Sequence, residues 1–379
     1  MSLKSKIKFL AYYLPQYHAI PENDEWWGKG FTEWTNVKKA KPLFKGHQQP
    51  VIPGELGYYD LLKTEGIQEK QAKLAKDHGI DGFIYYQYWF GNGKMLLEKP
   101  AEKMLKNKSI DMPFCFCWAN ETWSGVWHGS PNKILMEQKY FGESDYINYF
   151  NYLLPFFLDE RYIKIDNKPM FHIYKLHDIP DLPLFLETFK KLALKNGFDG
   201  MHFIATGGYD SPEVLQNTDI EGVVAIDLFR KLRYAQNVSI FQEDSSFHKW
   251  EKIVRYYLGI SSEVGIRKKP LMLNYKKGIK KLSIEIPNHK FIPCIIPNWD
   301  NSPRSGHKSL ILSNATPEVF EKYFQKIVDQ LQKDKDNQDF VVIKSWNEWA
   351  EGNHLEPDKK YGNGWLQVVK NIKNQIAKS

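Results

Sequence analysis

The sequence predicts an α/β protein, a (β/α)8 TIM barrel with long βα-loop insertions after strands 1, 3 and 6. Three observations predict it. Eight short β-rich runs are spread over 379 residues. Segments with apolar residues at helical spacing lie between them. The three longest insertions each follow the C-terminal end of a run, the face on which barrels place their active sites. Strands alternating with helices imply βα units and a parallel sheet, and eight strands close a ring.

The runs are Ile7–Tyr13, Gly82–Tyr88, Pro113–Trp118, Pro169–Tyr174, Met201–Thr206, Gly222–Leu228, Phe291–Pro297 and Phe340–Trp346. Ile67–Asp77 and Leu184–Lys195 are examples of the helical segments between them. The stretches Lys73–Phe83 and Lys191–Met201 echo one another, each ending a helix at a glycine (Gly79, Gly197) before a tight turn into the next strand. A minimal barrel takes roughly 250 residues, which leaves the surplus in Leu14–Gly66, Ala119–Ser144 and Phe229–Lys290. Residues 1–379 read as one catalytic domain, with 229–290 a basic insertion within it. Arg267, Lys268, Lys269, Lys276, Lys277, Lys280, Lys281 and Lys290 make that insertion basic. They read first as a solvated face, and alternatively as a surface for an acidic glycan or an anionic membrane.

Composition narrows the class. Hydrophobic residues make up 42% and charged residues 26%, enough for a full core and against disorder. The net charge of +7 is too small to argue for a nucleic-acid partner. Cys115, Cys117 and Cys294 are too few for a disulfide scaffold and suggest a reducing compartment. No apolar run is long enough to span a bilayer. Lys8 interrupts the apolar run Ile7–Leu14, Pro15 closes it, and no small-residue cleavage site follows. No signal peptide is read, and a cytoplasmic location is expected, at most peripheral at the inner membrane.

Aromatic residues are unusually abundant, at 15% with 12 Trp. Trp26, Trp27, Trp34, Trp89, Trp118, Trp123, Trp127, Trp299, Trp346, Trp349 and Trp365 all fall at a strand's C-terminal end or just beyond it; Trp250 alone does not. Flat indoles with polar edges suit sugars, which stack apolar C–H faces on rings and bond through hydroxyls. At least half of these Trp are expected to serve only as loop anchors.

The strongest constellation closes the eighth strand, Ser345-Trp-Asn-Glu-Trp-Ala-Glu-Gly-Asn-His-Leu-Glu-Pro357. Glu348 and Glu351 stand three residues apart. On a helical turn that spacing places Cβ atoms about 5–6 Å apart; in extended backbone it spans about 10 Å. Glycoside cleavage needs two carboxyl groups, one to protonate the leaving oxygen and one to act as base or nucleophile. Close carboxyls also push their pKa values apart, so one stays protonated near neutrality. The spacing does not fix the stereochemistry. Trp118-Ala-Asn-Glu-Thr-Trp123 closes the third strand, with Asn120 and Glu121 as sugar binders and Glu121 a rival catalytic carboxylate. Asp300 beside Trp299 is a third candidate and reads as a binder. Tyr13, Gln16 and His18 close strand one, and Tyr86, Tyr88 and Trp89 strand two. With Trp34, Trp118, Trp346, Asn347 and Trp349 these make up the expected substrate-binding set.

Other chemistries fit less well. There is no HExxH, paired CxxC, G-x-S-x-G elbow or P-loop, so no metal or cofactor is expected. Gly91-Asn-Gly93 begins a dinucleotide fingerprint, but position 96 is Leu. The one Asp-x-Asp, Asp334-Lys-Asp336, lies in a charged loop before the eighth strand.

Ala11–His18, Asn23–Asn36, Lys41–His47, Pro53–Asp60, Trp118–Trp123 and Trp346–Pro357 closely resemble the WbsX-like family over almost the whole chain. The resemblance implies a role with bacterial O-antigen or capsule polysaccharide, where such proteins are commonly labelled glycosyltransferases. The strand-eight segment also resembles Trp-Asn-Glu-Trp-x-Glu-Gly of the endo-α-mannosidase glycoside hydrolases. That family retains configuration without a protein nucleophile. One Glu deprotonates the sugar's own 2-hydroxyl, which attacks the anomeric carbon, and the other is acid and then base. By motif position Glu348 would be the 2-hydroxyl base and Glu351 the acid/base; His354-Leu-Glu356-Pro357 matches only in part. Three readings stay open: glycosidase-like retaining chemistry on surface polysaccharide, a glycosyltransferase of lipopolysaccharide O-antigen biosynthesis using a nucleotide- or lipid-linked donor, and a non-catalytic glycan-binding protein.

Overall fold

The computed structural model describes residues 7–125, 130–206, 219–238, 269–286, 290–333 and 339–378. Its barrel strands are β1 (Lys8–Tyr13), β2 (Gly82–Trp89), β3 (Phe114–Trp118), β4 (Lys168–Ile173), β5 (His202–Thr206), β6 (Ile220–Ala225), β7 (Phe291–Ile295) and β8 (Phe340–Ile343). Each pairs in parallel with the next, and β8 pairs with β1, so the ring closes. At the seam Leu10 faces Val342 and Ala11 faces Ile343. The expected strands stand within three residues of these bounds, because each is an apolar, β-branched or aromatic run stopped by Gly, Pro or a polar residue.

The outer layer contains α1 (Ile67–Asp77), α2 (Lys99–Lys106), α3 (Glu143–Phe157), α4 (Leu182–Lys195), α5 (Leu228–Gln236), α6 (Tyr275–Lys281), α7 (Pro317–Lys333) and α8 (Gly364–Lys378). α7 shows why these segments are helical and where they face. Phe320, Tyr323, Phe324, Ile327, Val328 and Leu331 recur every three or four residues and are all buried. Gly79 and Gly197, the two echoed glycines, both take left-handed backbone (φ 84° and 86°), which a Cβ would disfavour.

Alternation along β1 separates two environments. Tyr12 points into the barrel, where it stacks on Tyr86 at 5.1 Å and its hydroxyl meets Thr206 Oγ1 at 3.1 Å across the ring. Tyr13 points outward and donates to Gln71 Oε1 on α1 at 2.8 Å. Cys115, Cys117 and Cys294 are free and buried.

The insertion after β1 folds into the short helices Pro21–Trp27 and Glu33–Lys39, and the one after β3 carries an antiparallel hairpin, Trp123–Gly125 with Ser130–Met136. The stretch 229–290 differs from the expected insertion at both ends. α5 and α6 join the outer layer there, with Leu232 and Tyr275 fully buried and the Tyr275 hydroxyl bonded to Ile296 O at 2.6 Å. Lys269, Lys276, Lys277, Lys280 and Lys281 are exposed. Arg267, Lys268 and Trp250 lie outside the described residues, as do Trp127 and Asp334-Lys-Asp336. Among the described residues no helix is long and apolar enough to cross a membrane.

Candidate active site

β8 delivers the site. Past Ile343 the chain passes through Lys344 and a cis Lys344–Ser345 peptide into a tight hairpin. Asn347–Glu348 pairs antiparallel with Asn353–His354 around a single 3-10 turn, Trp349–Glu351. The Ser345 hydroxyl donates to Asn353 O at 2.7 Å and accepts from Glu348 N at 3.0 Å. Gly352 closes the turn in left-handed backbone at φ 55°, and a Cβ there would lie 2.8 Å from Asp300 N and O. The two glutamates thus bracket a hairpin turn instead of sharing an α-helical face.

Both carboxyls reach one ammonium. Lys344 Nζ lies 3.0 Å from Glu348 Oε2 and 3.6 Å from Glu351 Oε2. Arg304, on the short helix Ser302–Ser305 after β7, reaches Glu351 Oε1 with Nη1 at 2.9 Å and Glu33 Oε1 with Nη2 at 2.6 Å. Glu33 opens the helix Glu33–Lys39 and also accepts from Ala350 N at 3.1 Å. Three loops therefore meet in one buried cluster of three carboxyls and two cations. Side-chain exposure is 5% at Glu348 and 11% at Glu351.

Burial pushes the Glu348 carboxyl up to about 8, opposed by Lys344 and reinforced by Glu351. Burial works the same way on Glu351, but Lys344 and Arg304 outweigh it and hold that carboxyl down to about 2. The two carboxyls are thus pushed in opposite directions, Glu348 toward the protonated form and Glu351 toward the charged form, the splitting that adjacent carboxyls produce. Glu33 is also raised by burial, against the pull of Arg304.

Aromatic side chains lie near the pair. Tyr86, Tyr88 and Tyr174 all sense its charge, and Lys344 Nζ sits 5.5 Å above the Trp299 ring. The other expected binders lie elsewhere. Tyr13 faces α1. Trp89 stacks on Tyr149 and Trp118 packs on Phe185. Trp34 donates to Tyr59 O at 2.7 Å, and Trp346 is fully buried against Phe83. Trp349 stacks on His354 and donates to Glu356 Oε2 at 2.6 Å. Trp365 is buried at the start of α8. In each case protein covers the indole, because a long loop needs an anchor as much as a sugar needs a platform. Trp26, Trp27, Trp123 and Trp299 keep part of their surface.

His18 is buried, with Nδ1 at 3.1 Å from Pro15 O, and Gln16 is half-buried. Asp300 is already occupied. Its Oδ2 accepts from His47 Nε2 and Gln49 Nε2, both at 2.7 Å, and its Oδ1 from Ser302 N at 3.0 Å. Leu43 N donates to His47 Nδ1, so Nε2 is the nitrogen that carries hydrogen toward Asp300. Asn120 and Asn347 are fully buried and bonded to backbone, while Glu121 is 53% exposed and 3.5 Å from Lys175.

Lys344, Arg304 and Glu33 are the members that sequence reasoning missed. Lys344 had a signal, a lone cation ending the apolar run Phe340–Ile343. Arg304 and Glu33 had none, since they meet across 271 residues. Glu356 was missed as well. It is fully buried, takes bonds from Tyr59, Gln71 and Trp349, and is raised by burial to about 7.

A parallel barrel with a carboxyl cluster at its C-terminal mouth has the form of the glycoside-hydrolase-like barrels. A family model described as glycosyltransferase WbsX matches residues 9–369, and the chain belongs to that family. Proteins named WxcX from two strains of Xanthomonas campestris pathovar campestris are 32% identical over 368 residues, which is 95% of this chain and 49% of theirs. The chain thus spans about half the length of these relatives. Among solved structures, the GH99 endo-alpha-mannosidase from Bacteroides thetaiotaomicron aligns with TM-score 0.57 and 14% identity, covering 98% of this chain and 97% of that one. A glycoside hydrolase-like protein aligns at 0.56 and 12%, covering 98% and 95%. At such identities the likeness shows the fold.

Proposed function

We propose that this carbohydrate-active enzyme breaks a glycosidic bond of a bacterial surface polysaccharide, O-antigen or capsule, with Glu348 and Glu351 as its acid and base and with retention of configuration. The observation that carries the reading is the shared ammonium. Lys344 holds the two carboxyls together in a buried site, where Glu348 is pushed toward the protonated form and Glu351 toward the charged form. One carboxylate takes the proton of the sugar's 2-hydroxyl, whose oxygen attacks the anomeric carbon. The other carboxyl protonates the departing oxygen. Water then opens the anhydro sugar, or an acceptor hydroxyl does so in transfer. Trp299 and Trp123, with free surface near the mouth, are the indoles best suited to stack on the saccharide.

The resting proton on Glu348 favours it as the group that protonates the leaving oxygen, with Glu351 as base; the motif resemblance gives the reverse order. An aryl glycoside of the polysaccharide's own sugar separates the two, because a good leaving group rescues only the variant that lacks the acid. The test of the function is turnover of the repeat-unit oligosaccharide, followed by mass spectrometry. Glu348→Gln and Glu351→Gln should each lose about 10²–10⁴-fold in rate while still binding the oligosaccharide. Wild-type rates in either variant would end the assignment.

The family's description supports a second reading, transfer from a nucleotide-linked sugar. Thermal stabilisation by uridine, guanosine or thymidine diphosphate sugars, with none by oligosaccharide, would favour it.

A further inference from the structure

The pair does not stand alone. Ala350 N and Arg304 Nη2 both bond to Glu33 Oε1, and the other arm of the guanidinium bonds to Glu351. The chain of contacts runs Glu33–Arg304–Glu351–Lys344–Glu348. Glu33 is 2% exposed, too buried for solvent to neutralise it. Fully ionised, the cluster would hold one negative charge more than its cations balance. Burying an unpaired charge is costly, and a proton is the cheapest remedy.

We propose that Glu33, acting through Arg304, is a positioning residue that sets the charge of the carboxyl pair: one arm of the guanidinium at 2.6 Å and the Ala350 N–H at 3.1 Å keep Glu33 ionised, so three carboxyls face two cations and the pair retains one proton. Among the described residues, the other titratable groups near Glu348 do not alter this balance. They are Tyr86 and Tyr88 from β2, Tyr174 after β4 and Cys294 from β7, all protonated near neutrality because burial raises them. Lys344 and Arg304 stay charged, since the surrounding carboxylates outweigh burial. The inference deepens the proposed function and rests on it only for the kinetic readout.

The test exploits a sign. Glu33→Gln keeps the shape and the acceptor oxygen but removes a negative charge, so the pair should release its proton at lower pH. Arg304→Gln breaks the same contact but removes a positive charge, so the proton should be held to higher pH. A merely structural role would move both variants in one direction. The basic limb of kcat/KM should shift by about 1–3 pH units, downward in Glu33→Gln and upward in Arg304→Gln, with Arg304→Lys close to wild type. Infrared titration of the neutral carboxyl band, assigned to Glu348 by its disappearance in Glu348→Gln, should shift likewise and requires no substrate. If the wild type turns nothing over, the functional proposal fails while the infrared arm still reads this one. Shifts of the same sign, or none in a folded Glu33→Gln, overturn it. Should Arg304→Gln fail to fold, Glu33→Gln alone decides.

Discussion

Two strand ends carry almost the same residues and reach different outcomes. β3 ends in Trp118-Ala-Asn120-Glu121, and β8 leads into Trp346-Asn347-Glu348. In both, the asparagine is a clamp. Asn120 accepts from Lys175 N at 2.8 Å and donates to Lys175 O at 2.8 Å, which ties β3 to the end of β4. Asn347 accepts from Leu14 N at 2.7 Å and donates to Leu14 O at 3.0 Å, which ties the β8 loop to the end of β1. The glutamates then part company. Glu121 faces solvent with a loose lysine, whereas Glu348 is buried under a lysine, an arginine network and a second carboxyl. The motif supplies the clamp; burial and neighbouring charge set the two glutamates apart.

The difference can be attacked directly. The largest effect should fall on turnover. Glu348→Gln should cost about 10²–10⁴-fold and Glu121→Gln far less, and the reverse ranking on the repeat-unit oligosaccharide would transfer the chemistry to β3. Stability comes next. Asn347→Ala and Asn120→Ala should each cost about 1–3 kcal/mol for every backbone group left unpaired in the interior, measured by urea unfolding. If only one of them destabilises, the shared clamp is lost as an explanation.

The dependence on pH follows from two raised carboxyls, Glu348 at about 8 and Glu356 at about 7. Both bind a proton more tightly folded than unfolded, so their contribution is complete below the ordinary carboxylate range. It is lost progressively as pH rises from that range, and the loss is complete once pH has passed about 7 to 8. The melting temperature should therefore fall across that interval, less steeply in Glu356→Gln. If Glu348 is the acid, turnover declines only at the upper end of that range, as pH passes about 8. The smallest effect belongs to the rim. Lys175→Ala removes the 3.5 Å partner of Glu121 and should change stability by about 0–1 kcal/mol.

Much of the fold was legible because strand content and helix period are local properties. Phe340–Ile343 and Gly82–Trp89 announce themselves as buried strands, and the carboxyl pair lies within four residues of sequence. What the tryptophans touch was not legible. Trp34 and Trp349 pack against one another at 5.4 Å from opposite ends of the chain, and nothing local distinguishes such a pillar from a sugar platform. Arg304 and Glu33 were invisible for the same reason: their meaning lies in a meeting that only the closed ring arranges.

That ring closes at the seam between β1 and β8, where Asn347 grips Leu14. The first and last staves of the barrel must therefore be in place before Glu33 and Arg304 can reach the hairpin that carries the pair. A chain made only as far as Arg304 holds that guanidinium and Glu33 with no carboxyl pair to meet, and the five-residue cluster assembles only as the strand Phe340–Ile343 seats.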